Sequence, residues 1–179
     1  MIAIVADTDR RASLDRMAAD LFTARTVLYV GANARRHDFA EDFAAAGAVV
    51  DVLEAWPANF DALAAQNGGG WINLLIEGDV RDAAICRRYD VVFWWHGPEH
   101  LAAEDIAPTV ARLETFARRY VVLGSPWGVY DQGATGGNPY EVHQTPIWPD
   151  NLDALGYDVE CLGRPDTRGS NLTAVKRIK

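Results

Sequence analysis

Residues 89–101 read YDVVFWWHGPEHL, an apolar run that ends in two tryptophans, two histidines and a glutamate. His96-x-x-Glu99-His100 has a spacing that grips zinc when it lies on one continuous helix, because both imidazoles then face one metal. Gly97-Pro98 interrupts any such helix: proline lacks the amide and disfavours helical backbone in the residue before it. Neither histidine is followed by an evident third ligand, so no metal is assigned. The stretch reads instead as a buried strand over 89–95, a turn at Gly97, and a helix entered through Pro98-Glu99-His100.

On either side of it, short β-branched runs alternate with longer helical stretches, which predicts an α/β domain with a mainly parallel sheet. SLDRMAADLF (13–22) places Leu14, Met17, Leu21 and Phe22 at helical spacing. TVLYV (26–30) is the first strand, and Asp38-Phe-Ala-Glu41 reads as a capping box for the helix that follows. AVVDVLE (48–54) is the second strand. Pro57 opens a helix that stops at NGGG. WINLLIEGD gives the third strand and YDVVFWW the fourth. A helix runs from Pro98 or Glu104 to about Arg119, followed by the fifth strand, YVVLGS. GYDVECLGRPDTRGSNLTAVKRI is spaced as a hairpin, making the last two strands antiparallel neighbours.

At 179 residues the chain is expected to form one domain, 1–179, with an N-terminal helical segment (1–24). Hydrophobic residues make up 49% and charged residues 23%, a globular balance. The formal net charge of -8, with no basic run, argues against a nucleic-acid partner, because backbone binding draws on clustered Lys and Arg. A small-molecule substrate fits better. Cys86 and Cys161 form no CxxC, which leaves neither a structural zinc site nor a redox pair. MIAIVADTDRR lacks the basic flank of a secretory signal, and no apolar run reaches bilayer-spanning length. A soluble, cytoplasmic protein without a membrane partner is expected, and a homodimer is left open.

In an open parallel sheet, ligands collect beyond the carboxyl ends of the strands. Those ends read Gly31-Ala32-Asn33, Glu54-Ala55-Trp56, Gly78-Asp79-Val80, Trp94-Trp95-His96-Gly97 and Gly124-Ser125-Pro126-Trp127. Gly31 lets the backbone turn sharply. Glu54 follows at about the distance where an acid accepts from both ribose hydroxyls of an adenine nucleotide. Asp79 could accept from an adenine amino group.

The order VLYVGAN, VDVLEAWPANFDAL, EGDVRD, YDVVFWWHGPEHL, YVVLGSPWG resembles the class I S-adenosylmethionine-dependent methyltransferases over residues 26–178. The resemblance implies a Rossmann-like, doubly wound, mostly parallel seven-stranded sheet with a C-terminal antiparallel hairpin, and S-adenosyl-L-methionine as cofactor. It also implies that Gly31 and Asn33 lie near the methionine moiety, that Glu54 binds ribose, and that Ala55 belongs to the cofactor site. Asp79 and Val80 would border adenine, and Trp94 to His96 would separate cofactor from substrate. The first loop departs from the family pattern: Tyr29 stands where an acid is usual, and Asn33 and Arg35 stand at later glycine positions. Arg35–Arg36 either compensates near the cofactor's carboxylate or is a solvated approach to the next helix.

His96 or His100 would face the crevice, where an imidazole can take a proton near neutral pH; either could instead merely order the turn. Trp94 and Trp95 alternate across the sheet, one packing in the core and one lining a pocket, where an aromatic face attracts a sulfonium. GSPWGVYDQGATGGNPYEVHQTPIWPD (124–150) holds five glycines and four prolines among aromatics, a composition typical of a functional loop. It is expected to cover the substrate, with Trp127 and Tyr140 beside Trp95 and His100 as substrate contacts and Tyr130 or His143 orienting or deprotonating the acceptor. An ordered surface loop or a contact with a second subunit is the alternative. The expected reaction is methyl transfer to a small-molecule oxygen, nitrogen or carbon nucleophile. A catalytically silent binding module and a nicotinamide-dependent oxidoreductase are the rivals; the latter lacks a G-x-G-x-x-G.

Overall fold

The computed structural model describes residues 1–34, 39–66 and 70–179. Within them, β1 (Ile2–Val5), β2 (Thr26–Val30), β3 (Val49–Glu54), β4 (Leu74–Glu77), β5 (Tyr89–Trp95), β6 (Ala117–Ser125), β7 (Asp158–Leu162) and β8 (Asn171–Arg177) form one sheet in the order β1-β7-β8-β6-β5-β2-β3-β4. The helices are α1 (Arg10–Met17), α2 (Ala40–Ala45), α3 (Pro57–Gln66), α4 (Ala103–Phe116) and α5 (Pro149–Asp153). Only β8 runs against its neighbours, pairing antiparallel with both β6 and β7.

The central strands are buried on both faces, which is why they read as near-continuous apolar runs. Along β5, Val92 and Trp94 face one core layer with Leu28, Leu53, Leu113 and Leu123. Val91, Phe93 and Trp95 face the other, with Tyr29, Phe43 and Val122. Phe93 is the hub of that second layer, stacked on Tyr29 and Trp95 and edge-on to Phe43.

Two expectations for the N-terminal segment change. Residues 1–24 are not wholly helical: β1 adds an eighth strand, parallel to β7, at the sheet edge. Its alternately exposed and half-buried side chains suit an edge position. The first helix also starts earlier than 13–22, because Asp9 caps it by accepting from the Arg11 and Ala12 amides. It stops at Met17, and Leu21–Thr23 is a separate 3₁₀ turn. In the capping box read at Asp38–Glu41, Asp38 lies outside the described residues, as do Arg35 and Arg36; so do Asn67, Gly68 and Gly69 of the stop after α3. Cys86 is exposed and Cys161 buried, both free.

Chain order places the functional end of the sheet. From β2 the chain winds outward through β3 to β4, then crosses to β5 and winds the other way to β6. The connections leaving β2 and β5 therefore diverge, opening a crevice at their carboxyl ends. Among the described residues no helix is long and apolar enough to cross a membrane.

Candidate active site

The crevice holds two connected cavities. One, of about 380 Å³, runs from Gly31 past Glu54 and Asp79 to Trp94 and is roofed by Asn138–Glu141. The other, of about 890 Å³, lies between Tyr29, Trp95, Glu99, Tyr130 and His143. Gly31, Asn33, Asn59, His96, His100 and Glu141 line both.

The floor of the smaller cavity is built from strand tips. Gly31 has φ +74, a left-handed conformation that a side chain resists, and the space where a Cβ would point is open. Glu54 is 6% exposed, and its carboxylate accepts from the Trp56 amide at 2.8 Å. Burial pushes its carboxyl pKa up; the Trp56 amide and Asn59 oppose this, and the charge of Glu141 adds to it. Trp94 lies flat under Gly97: a Cβ there would sit 1.7 Å from the indole nitrogen. Val80 and Ala55 complete the lining. Asp79 also lines it, but both its oxygens are engaged by Arg81, at 2.9 and 2.7 Å, and that guanidinium holds its carboxyl below the usual range. Its Oδ2 receives a single bond from Arg81, so it keeps room to accept one more.

Asn59 escaped the sequence reading. Asn59, 8% exposed on α3, accepts from the Ala34 amide at 2.9 Å and donates to the Ala32 carbonyl at 2.7 Å. It ties the first loop to α3 through both bonds. The available signal was a polar residue four positions before buried Leu63, on the apolar stripe of the helix. The turn before β8 contributes Thr167 to Ser170 to the larger cavity, and of residues 1–24 only Arg10 lines it.

The histidines converge. His96 has φ +52, a conformation uncommon outside glycine, and its backbone amide donates to the Gly124 carbonyl. This turn aims its Nδ1 at Glu99 Oε1, 3.3 Å away. Glu99 is 2% exposed on the 3₁₀ turn Pro98–His100, and its Oε2 has no hydrogen-bond partner. Burial opposes its ionisation, but the bond from His96 and the charges of His96 and His100 outweigh this and hold the carboxyl below its ordinary range. His100 Nδ1 lies 3.2 Å from the Val142 carbonyl, and His143 Nδ1 2.6 Å from that of Tyr130. The two rings meet edge-on at 5.0 Å.

The 124–150 segment is docked rather than loose. Glu99 O accepts from the Gln144 and Thr145 amides, the Gln144 side chain donates to His100 O, and Thr145 Oγ1 donates to Leu101 O. Asn138 Oδ1 accepts from the Tyr140 amide, and Gln132 Nε2 bonds Glu141 O. Tyr130 and His143 therefore line the larger cavity and Tyr140 the smaller one. Trp127 is a correction: it lines neither cavity, because its indole is buried in the core and its Nε1 donates to the Leu162 carbonyl at 3.1 Å. Trp94 and Trp95 are both buried, and each also borders a cavity, so the division into one core and one pocket tryptophan does not hold.

No protein-family model matches the chain, and no curated protein matches it in sequence. Solved structures match it in shape. The N-methyltransferase NodS from Bradyrhizobium japonicum, in complex with S-adenosyl-L-homocysteine, is 13% identical, with a TM-score of 0.70 over 94% of this chain and 85% of that one. A Rhodobacter sphaeroides structure, provisionally described as a zinc-dependent alcohol dehydrogenase, is 14% identical, with a TM-score of 0.69 over 97% and 92%. The magnesium protoporphyrin IX methyltransferase ChlM from Synechocystis, also with bound S-adenosyl-L-homocysteine, is 16% identical, with a TM-score of 0.64 over 94% and 81%. At these identities the likeness establishes the fold.

Proposed function

We propose that this chain, which has the Rossmann-like fold of the class I S-adenosylmethionine-dependent methyltransferases, binds S-adenosylmethionine in the smaller cavity and methylates a small molecule held in the larger one. The observation that carries this reading is the buried Glu54 carboxylate at the tip of β3, facing a cleft that opens past Gly31 and His96 into a second cavity. The residues fit the cofactor. An ionised Glu54 can accept from both ribose hydroxyls, while Trp94, Leu53 and Val80 offer apolar surface to a purine. Glu54 and Glu141 together favour a ligand carrying positive charge.

When bound, the cofactor would supply a methyl group on a sulfonium sulfur, whose leaving would return the electron pair to that sulfur. The protein's part is mainly to hold donor and acceptor in line across the shared wall. Glu99 fixes Nδ1 as the protonated nitrogen of His96, leaving Nε2 basic and able to take the acceptor's proton. Tyr130 and His143 orient the acceptor from the covering loop.

A thermal-shift titration tests the site. Saturating S-adenosylhomocysteine at about a hundredfold above its dissociation constant should stabilise the protein by about 2.7 kcal/mol. For a chain of this size that is a rise in Tm of roughly 5–10 °C. The Glu54→Ala protein should unfold as cooperatively but show little rise. An equal rise in the variant would remove Glu54 from the site.

A further inference from the structure

We propose that Glu99, His100 and His143 bind one divalent transition-metal ion on the wall of the larger cavity. Their ligating atoms all lie within 4.8 Å of one another. Two further observations point to a cation. Glu99 Oε2 is buried with no hydrogen-bond partner, although an ionised oxygen in such a place is costly unless something positive faces it. Both imidazoles also lie with Nδ1 against a backbone carbonyl, Val142 for His100 and Tyr130 for His143. A carbonyl only accepts, so Nδ1 carries the hydrogen on each ring, and in the neutral ring Nε2 then keeps its lone pair, the tautomer in which histidine ligates metals. With both rings neutral, three acceptors converge, His100 Nε2 lying 3.9 Å from Glu99 Oε1.

The donor set selects the ion. Two imidazoles and one carboxylate suit zinc and its first-row neighbours rather than magnesium or calcium, which prefer oxygen alone. Three protein ligands facing a cavity leave a coordination position open, as catalytic sites do. Bonds of about 2.0–2.2 Å place tetrahedral ligands roughly 3.3 Å apart, so side-chain rotation of the order of an ångström would close the site. His96 holds the other oxygen of Glu99 and acts as a positioning residue. The broken H-x-x-E-H helix is no obstacle, because the third ligand arrives from the docked loop. If the methyl-transfer reading also holds, an ion here would seize the acceptor by an oxygen beside His96, narrowing the acceptor to a hydroxyl-bearing molecule.

The test is titration of chelator-stripped protein with Co²⁺, followed by visible absorption, and with Zn²⁺, followed by calorimetry. One ion per chain is expected, with affinity falling at least about tenfold in His143→Gln and in Glu99→Gln. His143 sits on the loop, so its variant keeps the test decisive if the buried Glu99→Gln fails to fold. Absence of stoichiometric binding, or equal binding by the wild type and His143→Gln, overturns the proposal. S-adenosylhomocysteine is titrated in parallel. Its binding without metal binding sinks the metal site alone, and metal binding without it supports the site while sinking the methyl-transfer reading.

Discussion

Glu54 shows how one side chain can be legible in sequence while its chemistry is not. Its distance from Gly31 marked it, but the upward push on its pKa comes from burial and from Glu141, a neighbour 87 positions on in the same numbering. The ionised carboxylate accepts from both ribose hydroxyls, whereas protonation turns one oxygen into a donor and removes part of that capacity. Affinity for adenosyl ligands should therefore be complete above the raised pKa and fall over the range in which the pH drops through it, at a higher pH than an exposed glutamate would allow. For the unliganded fold the sign is opposite: burying the charge costs stability at neutral pH, and protonation relieves it. Calorimetry of S-adenosylhomocysteine across this range checks the first point; a flat profile would show that Glu54 does not contact the ligand. His96→Ala should lower turnover about 10²–10⁴-fold while leaving cofactor affinity within a fewfold. Unaltered turnover on an authentic acceptor would leave His96 only the task of ordering the turn.

At the scale of elements, the strands were legible because each is an apolar run bounded by turn residues, and β5 matches the reading residue for residue. Their tips were legible for the same reason, which is how Gly31, Glu54, Val80 and Trp94 were located around one cleft. What sequence could not give was contact between elements far apart in the chain. Nothing local marks that Trp127 would turn into the core or that the His143 ring would meet that of His100 edge-on. The clamp of Asn59 on the first loop belongs here too. Asn59→Ala leaves the Ala34 amide and Ala32 carbonyl without their partner. The variant should lose about 1–3 kcal/mol of stability and bind S-adenosylhomocysteine more weakly, chiefly through faster release. Stopped-flow dissociation and denaturant unfolding measure the two effects. Unchanged release would mean that the loop holds its shape unaided.

At the scale of the molecule, a doubly wound, mostly parallel sheet with a terminal antiparallel hairpin was expected from the resemblance, whereas the order β4-β3-β2-β5-β6-β8-β7 comes from the structure. The eighth strand was not expected, because four residues with alternating exposure at a sheet edge carry little apolar signal. The same topology puts the crevice between β2 and β5, and the covering segment docks on the 97–101 turn to make two chambers of it. Two chambers joined at His96 suit a donor and an acceptor. The most direct measurement of that idea is isothermal titration of the purified protein with S-adenosylmethionine and S-adenosylhomocysteine, with NADH as control. The expected result is one site per chain for each adenosyl ligand, with micromolar affinity of about -8 kcal/mol and none for NADH. Binding of NADH alone, or of none of the three, would contradict the account.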